Sequence, residues 1–305
     1  MRSVLPISYL IGSIWTVAVL LGEVQGRANF NLLPKNCGMS VTDRVSHGNA
    51  TFVYEHPWVA VIRYTEKEKI LDRCAGSLIN ERYVLTAAHC IRNLKLHSVI
   101  LGEHTKSQER DCSEFYDTTG SLTEIYCADA VEEFGIESFE YHAEFNRPRF
   151  RNDIGLLRLN RSVIMNDHIQ PICLPVTAKL RRLTSSNFIA VGWGRTKNDA
   201  ALDVLTGVIQ LRVDNEACQE IYDRSWVNVQ LGSKQMCAGS ENGVNPCKGF
   251  GGGPLGFFAH HDGTRFVQVG IVSFGLDRCE SNVPGVYTLV SEYMDWILAK
   301  IQPLS

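Results

Sequence analysis

The chain has 305 residues, with 30 Lys and Arg against 33 Asp and Glu, for a formal net charge of −3. So even a balance gives nucleic acid or an acidic membrane surface no electrostatic claim as a partner. A hydrophobic fraction of 45% over this length supports a sizeable core and excludes a disordered or low-complexity chain.

Met1 and Arg2 precede an apolar run from about Leu5 to Leu21, and Val24 and Gly26 supply small residues after it. The run is short and asymmetric, which favours a secretory signal peptide over residues 1–26 and leaves an N-terminal membrane anchor as the alternative. Residues 27–44, with Cys37, read as a pro-segment or light chain, and residues 45–305 as the body. Ten cysteines, none of them in the leader, read as a disulfide framework in a secreted chain. Asn49 and Asn160 each begin an Asn-x-Ser/Thr sequon and are candidate glycosylation sites.

Within the body, short β-branched and aromatic runs alternate with Gly, Asn, Asp and Pro. Trp58 to Tyr64, Tyr83 to Ala87, Ile154 to Leu159, Phe188 to Trp193, Val204 to Val213 and Phe266 to Phe274 are the clearest. This rhythm predicts an all-β sandwich or barrel. The segment from about Thr105 to Gly135 is polar and acidic, and reads as a long surface loop tied by Cys112 and Cys127. A helix is predicted only at the C-terminus, where Tyr293, Trp296, Ile297 and Ile301 share a face behind Ser291 as N-cap.

Several motifs carry chemistry. Thr86-Ala87-Ala88-His89-Cys90 follows a predicted strand and is preceded by Cys74-Ala75-Gly76-Ser77-Leu78. Asp153-Ile154-Gly155-Leu156-Leu157, Gly192-Trp193-Gly194, Met236-Cys237-Ala238-Gly239 and Pro284-Gly285-Val286-Tyr287-Thr288 come in order behind them. Together they resemble the trypsin/chymotrypsin (S1) family of serine proteases, from about Arg44 to Ile301. The resemblance implies an all-β chymotrypsin-like fold: two six-stranded antiparallel β-barrels with a C-terminal α-helix.

That family's chemistry uses a serine nucleophile, a histidine that takes its proton and a buried aspartate that orients the histidine. His89 and Asp153 match the base and the orienting acid. Where the family has Gly-Asp-Ser-Gly-Gly-Pro, this chain reads Gly249-Phe250-Gly251-Gly252-Gly253-Pro254. Gly251 therefore stands at the nucleophile position, and Phe250 replaces the aspartate that pairs with the N-terminus freed by activation. The matching cleavage bond is Arg44–Val45, with His47 where glycine is usual. Asn245 stands where trypsin-like members carry a pocket aspartate, and Ser273, Gly275 and Gly285 match further pocket positions, with Phe274 in place of tryptophan. Departures at three separate places describe a chain no longer held to cleavage.

By the same resemblance the disulfides are Cys74–Cys90, Cys218–Cys237, Cys247–Cys279 and Cys37–Cys173, which leaves Cys112–Cys127 as a loop staple. The staple and Leu32-Leu33-Pro34-Lys35-Asn36-Cys37-Gly38 look like the protease domain of arthropod clip-domain proteases; a clip module needs six cysteines of its own, and only Cys37 precedes the body. Glu103 begins a loop that binds calcium in some relatives, but the insertion after it departs from that pattern, and no metal or cofactor is assigned. Three functions follow. The chain is a non-catalytic regulator that binds extracellular proteases, their substrates or their inhibitors in an immune, melanisation or clotting cascade. Alternatively it binds microbial surfaces or a small ligand in the old cleft, or it is a weak endopeptidase with a substitute nucleophile.

Overall fold

The computed structural model describes residues 29–40, 51–146, 149–182, 185–194, 202–225, 229–240, 245–246, 248–260, 263–275 and 283–303. The leader, Arg44, Val45, His47, Asn49, Cys247 and Cys279 lie outside the described residues.

Six strands close the first barrel: β1 (Val59–Glu66), β2 (Lys69–Leu78), β3 (Tyr83–Thr86), β4 (Leu96–Leu101), β7 (Glu132–Tyr141) and β8 (Gly155–Leu159), in the order β1-β2-β3-β8-β7-β4. The second is built from β9 (Asn187–Gly192), β10 (Thr206–Val213), β11 (Gln235–Gly239), β12 (Pro254–His260), β13 (Thr264–Phe274) and β14 (Gly285–Leu289), in the order β10-β11-β14-β13-β12-β9. Every barrel pairing is antiparallel. The expected chymotrypsin-like architecture is present.

Each barrel has an apolar interior, with Ile62, Leu78, Val99, Phe134 and Leu157 in the first and Phe188, Met236, Phe250, Leu255 and Tyr287 in the second. A third apolar layer fills the seam between them. There Trp58, which leads into β1, stacks on Phe266 of β13 with ring centroids 5.0 Å apart. Because β3 and β8 face a barrel interior on one side and this seam on the other, every residue in both is buried. That explains why neither strand shows the apolar–polar alternation of a half-exposed strand. Residues 29–40 dock on the back of the body: the Asn29 side-chain amide donates to Leu298 O and Ile301 O, and Cys37 bonds to Cys173. Closing a loop of that length is worth on the order of 4–5 kcal/mol in chain entropy. Cys74–Cys90, Cys112–Cys127 and Cys218–Cys237 are also formed, and no described cysteine is free.

Three local readings are corrected. The segment after Thr105 is more than a stapled loop, since Cys112–Tyr116 (β5) and Leu122–Cys127 (β6) pair as a separate two-stranded ribbon, and β7 begins at Glu132. A helix also forms over Asn215–Arg224, capped by the Asp214 carboxylate, which accepts from Glu216 N. Only Cys218 and Tyr222 are buried along it, a stripe too narrow to show as periodicity in the sequence. At the C-terminus, Val290–Tyr293 is a 3-10 turn and the α-helix runs from Met294 to Lys300, so Ser291 lies inside the turn and caps nothing. The predicted apolar face holds, with Tyr293, Ile297 and Ile301 buried.

The loop opening at Glu103 is closed by the chain's own donors. Asp111, almost fully buried, accepts from His104 N and Thr105 N at 2.9 Å each, and Glu103 accepts from His104 N at 3.1 Å. With these oxygens turned to backbone amides, the donor set does not match a cation cage. Burial first, then the neighbouring Asp111 carboxylate, pushes the Glu103 carboxyl from 4.5 up to about 7. The folded chain therefore holds this proton across a pH range in which the unfolded chain releases it, so the contribution to stability falls as pH rises through that window. Glu103→Gln removes the effect. Relative to wild type, the variant's melting temperature should be nearly unchanged at about pH 4 and raised at about pH 8, by thermal denaturation in matched buffers. A constant difference across both pH values would sink this assignment.

Candidate active site

Local chain geometry brings the site residues to the seam between the barrels. His89 sits in the 3-10 turn Ala88–Cys90 that ends β3, and Asp153 lies just before β8. Gly251 precedes β12, and Ser273 lies near the end of β13. A backbone hydrogen bond joins the two barrels here, Ala75 N of β2 donating to Gly251 O at 2.9 Å, while Gly252 N donates within the second barrel to Val272 O of β13 at 2.8 Å. Gly252 has φ +77, and a Cβ there would lie 2.1 Å from Thr86 Oγ1, so the crossing requires glycine.

Asp153 is fully buried, and its carboxylate is satisfied by three donors. His89 N donates to Oδ1 at 2.8 Å; His89 Nδ1 at 2.7 Å and Ser273 Oγ at 2.5 Å donate to Oδ2. Thr288 Oγ1 holds the Asp153 carbonyl at 2.8 Å. A buried carboxylate is tolerated only with such compensation. Because Nδ1 carries its hydrogen toward the carboxylate, Nε2 of a neutral His89 is left as an acceptor. The two side chains are thus hydrogen-bonded to each other in the folded chain.

Opposite Nε2 stands Gly251. A Cβ built there would lie 2.9 Å from His89 Nε2 and 3.8 Å from Cys74 Sγ. The imidazole thus occupies part of the space that a side chain at this position would need. Cys90 Sγ, 3.4 Å from Nε2, belongs to the Cys74–Cys90 disulfide and cannot act as a thiol.

Phe250 is 2% exposed and packs with Phe188, Met236, Leu255 and Tyr287 in the interior of the second barrel. Its ring lies flat against the chain on either side of Trp193: a Cβ at Gly192 would come within 2.9 Å of it and one at Gly194 within 2.1 Å. Only glycine at 194 leaves room for the aromatic ring.

The pocket positions separate. The Ser273 hydroxyl donates to the Asp153 carboxylate. Gly275 and Gly285 face each other across a gap, with a Cβ on Gly275 3.9 Å from Gly285 Cα. Asn245 Nδ2 donates to Val283 O at 2.9 Å, and its Oδ1 accepts from Ser240 N at 3.2 Å, so the amide ties two loops together. Beside His89 runs an aromatic wall that sequence reading misses in part. Phe150 lies 6.1 Å from the imidazole and 5.1 Å from Phe274, which in turn lies 6.0 Å from Tyr222. Phe150 has φ +47, an unfavourable conformation for an aromatic residue that nothing in its sequence neighbourhood signals. Asn160, a sequon residue, is exposed.

Comparison with known proteins agrees with this geometry. The family model described as Trypsin matches residues 45–297. Serine protease grass of Drosophila melanogaster is 37% identical over 270 residues, covering 86% of this chain and 69% of that protein. CLIP domain-containing serine protease B4 of Anopheles gambiae is 39% identical over 272 residues, covering 86% and 71%. Melanization protease 1 of Drosophila melanogaster is 36% identical over 284 residues, covering 89% and 69%. The crystal structure of the Drosophila Grass clip serine protease of the Toll pathway superposes with a TM-score of 0.77 at 35% identity, over 88% of this chain and 76% of that one. With its two barrels, its His89–Asp153 pair and these relatives, the chain belongs to the trypsin family of serine proteases and is related within it to the clip-domain proteases of arthropods.

Proposed function

We propose that this chain is a secreted, non-catalytic member of its family that binds proteases, their substrates or their inhibitors in an extracellular proteolytic cascade. One observation carries the reading: the residue facing His89 Nε2 is Gly251, which has no side chain to attack a carbonyl. His89 can still accept a proton, but no hydroxyl at position 251 offers one. Loss of the serine alone costs on the order of a million-fold in kcat in a protease with the same triad on an unrelated fold.

Phe250 supports the same reading. Cleavage of Arg44–Val45 would free an ammonium, and at Phe250 it would meet an aromatic ring in place of a carboxylate. Burying that charge unpaired costs several kcal/mol, so cutting at Arg44 does not drive insertion of the new N-terminus. The aromatic wall of Phe150 and Phe274 favours retention of an uncut peptide segment beside His89. Secretion is supported by the signal-like leader and by four disulfides, and exposure of Asn160 suits glycan attachment. The kinship with Grass of the Toll pathway and with Melanization protease 1 points to an innate-immune or melanisation cascade.

Fluorophosphonate labelling, before and after limited cleavage at Arg44, tests the central claim. Neither state of the folded wild-type protein is expected to label; labelling would mean that another residue serves as nucleophile. Gly251→Ser alone is also expected to remain unlabelled, because Phe250 still occupies the position of the activating carboxylate. Phe250→Ala should lower the stability of the fold by about 3–5 kcal/mol, read from denaturant midpoints, as expected for emptying a well-packed aromatic site. A loss below about 1 kcal/mol would show that the ring is not part of the core.

A further inference from the structure

The ribbon of β5 and β6 is fixed on one side and open on the other. Phe115 turns inward and stacks on Phe52 at 4.8 Å, Val53 N donates to Ser113 Oγ at 2.8 Å, and Tyr54 OH donates to Cys127 O at 2.6 Å. Cys112–Cys127 staples its base, and Asp117 orders its turn by accepting from Thr119 N at 2.8 Å and Ser121 N at 2.9 Å. A segment held this way presents its outer face with little ordering cost on binding.

The register sets what that face carries. Glu114 pairs with Ile125 and Tyr116 with Leu122, all four on the side opposite Phe115. Tyr116 is 54% exposed, Ile125 53% and Leu122 49%, an apolar stripe on this face, while Tyr126 lies on the other face beside Phe115. Other exposed apolar side chains, such as Ile164, Ile209 and Phe139, are spread over separate elements. Single exposed apolar residues are ordinary; a rigid stripe of three is the mark of an interaction site. Among the described residues each strand of the ribbon pairs only with the other, the arrangement to which an extended segment can add.

Charge selects among the occupants. From Cys112 to Asp129 the chain carries Glu114, Asp117, Glu124 and Asp129 and no lysine or arginine. Two such ribbons repel each other, which disfavours a second copy of this chain, whereas a cationic partner is steered in. We propose that the outer face of the β5–β6 ribbon is a docking surface for a basic, extended segment of an extracellular protein partner, with apolar side chains seated on Tyr116, Leu122 and Ile125. The proposal rests on the binding role argued above, and names the surface that performs it.

A fluorescent peptide alternating arginine with leucine, and its glutamate-for-arginine counterpart, are suitable probes on the full chain. The basic peptide is expected to bind wild type, and to weaken steeply as salt rises from low to physiological strength and beyond. Tyr116→Ser/Ile125→Ser should raise its Kd at least about tenfold, the loss expected for removing two apolar anchors. Glu114→Gln should flatten the salt dependence, and Ile164→Ser, on a distant exposed site, should bind like wild type. Unchanged binding in the double variant, with an unchanged melting temperature, overturns the proposal, as does equal binding of the acidic peptide. So does a wild-type dimer in sedimentation that the double variant dissolves, since the ribbon's occupant is then a second copy. None of these readouts depends on catalysis, so failure here is separate from any fluorophosphonate labelling that would overturn the non-catalytic role.

Discussion

A single buried carboxylate organises the seam of this molecule. Asp153 lies between two barrels, out of reach of water, and each of its oxygens must be met by a donor from the surrounding chain. The turn after β3 supplies two, from the backbone and ring of His89, and β13 of the second barrel supplies the Ser273 hydroxyl. The orientation of the imidazole, the approach of the barrels and the course of the chain into β8 all follow from satisfying that one group. This need explains why His89 and Asp153 form a well-ordered pair opposite a glycine. Their geometry is fixed by the desolvated charge, and it requires nothing of the residue facing Nε2.

Around this centre the chain is apolar behind Gly251. Phe250 fills the region behind Gly251 and packs with the interior of the second barrel, and its ring can lie there because Gly192 and Gly194 offer no side chains. A carboxylate in the same place would need a cation as partner, and an aromatic ring needs only close packing. Under the proposed non-catalytic role, dependence on a cleaved N-terminus gives way to this packing arrangement. A scaffold stabilised in this way suits a role in which a surface is presented to others and chemistry is not demanded of the cleft.

The periphery fits that role. The ribbon is stapled at its base by its own disulfide and held against the Phe52–Tyr54 segment that leads into β1 by an aromatic stack and two hydrogen bonds, while its outer face stays apolar. The long aromatic wall beside His89 is a second feature that can hold a segment of another protein. The two surfaces together describe a molecule whose specificity lies in shape and charge.

Much of this was legible in the sequence, for a physical reason. The short motifs around His89 and Asp153 carry a family resemblance, and that resemblance implies the barrels and the four disulfides formed among the described residues. Gly251 and Phe250 are likewise visible without coordinates, because the flanking glycines set the register. Other features depend on contacts between residues far apart in the chain, and no local pattern encodes them. Ser273 turns to Asp153 because the barrels meet there, and Phe150 reaches His89 and Phe274 through a left-handed backbone. The helix Asn215–Arg224 is held by a buried stripe of two residues, and the polar stretch after Thr105 becomes a ribbon because Phe115 finds Phe52. The sequence by itself determined the family, four of the expected disulfides and the glycine at position 251. Only the tertiary structure decided which groups satisfy the buried charge, what fills the space behind Gly251 and which apolar residues remain in water, because each depends on what the folded chain brings alongside.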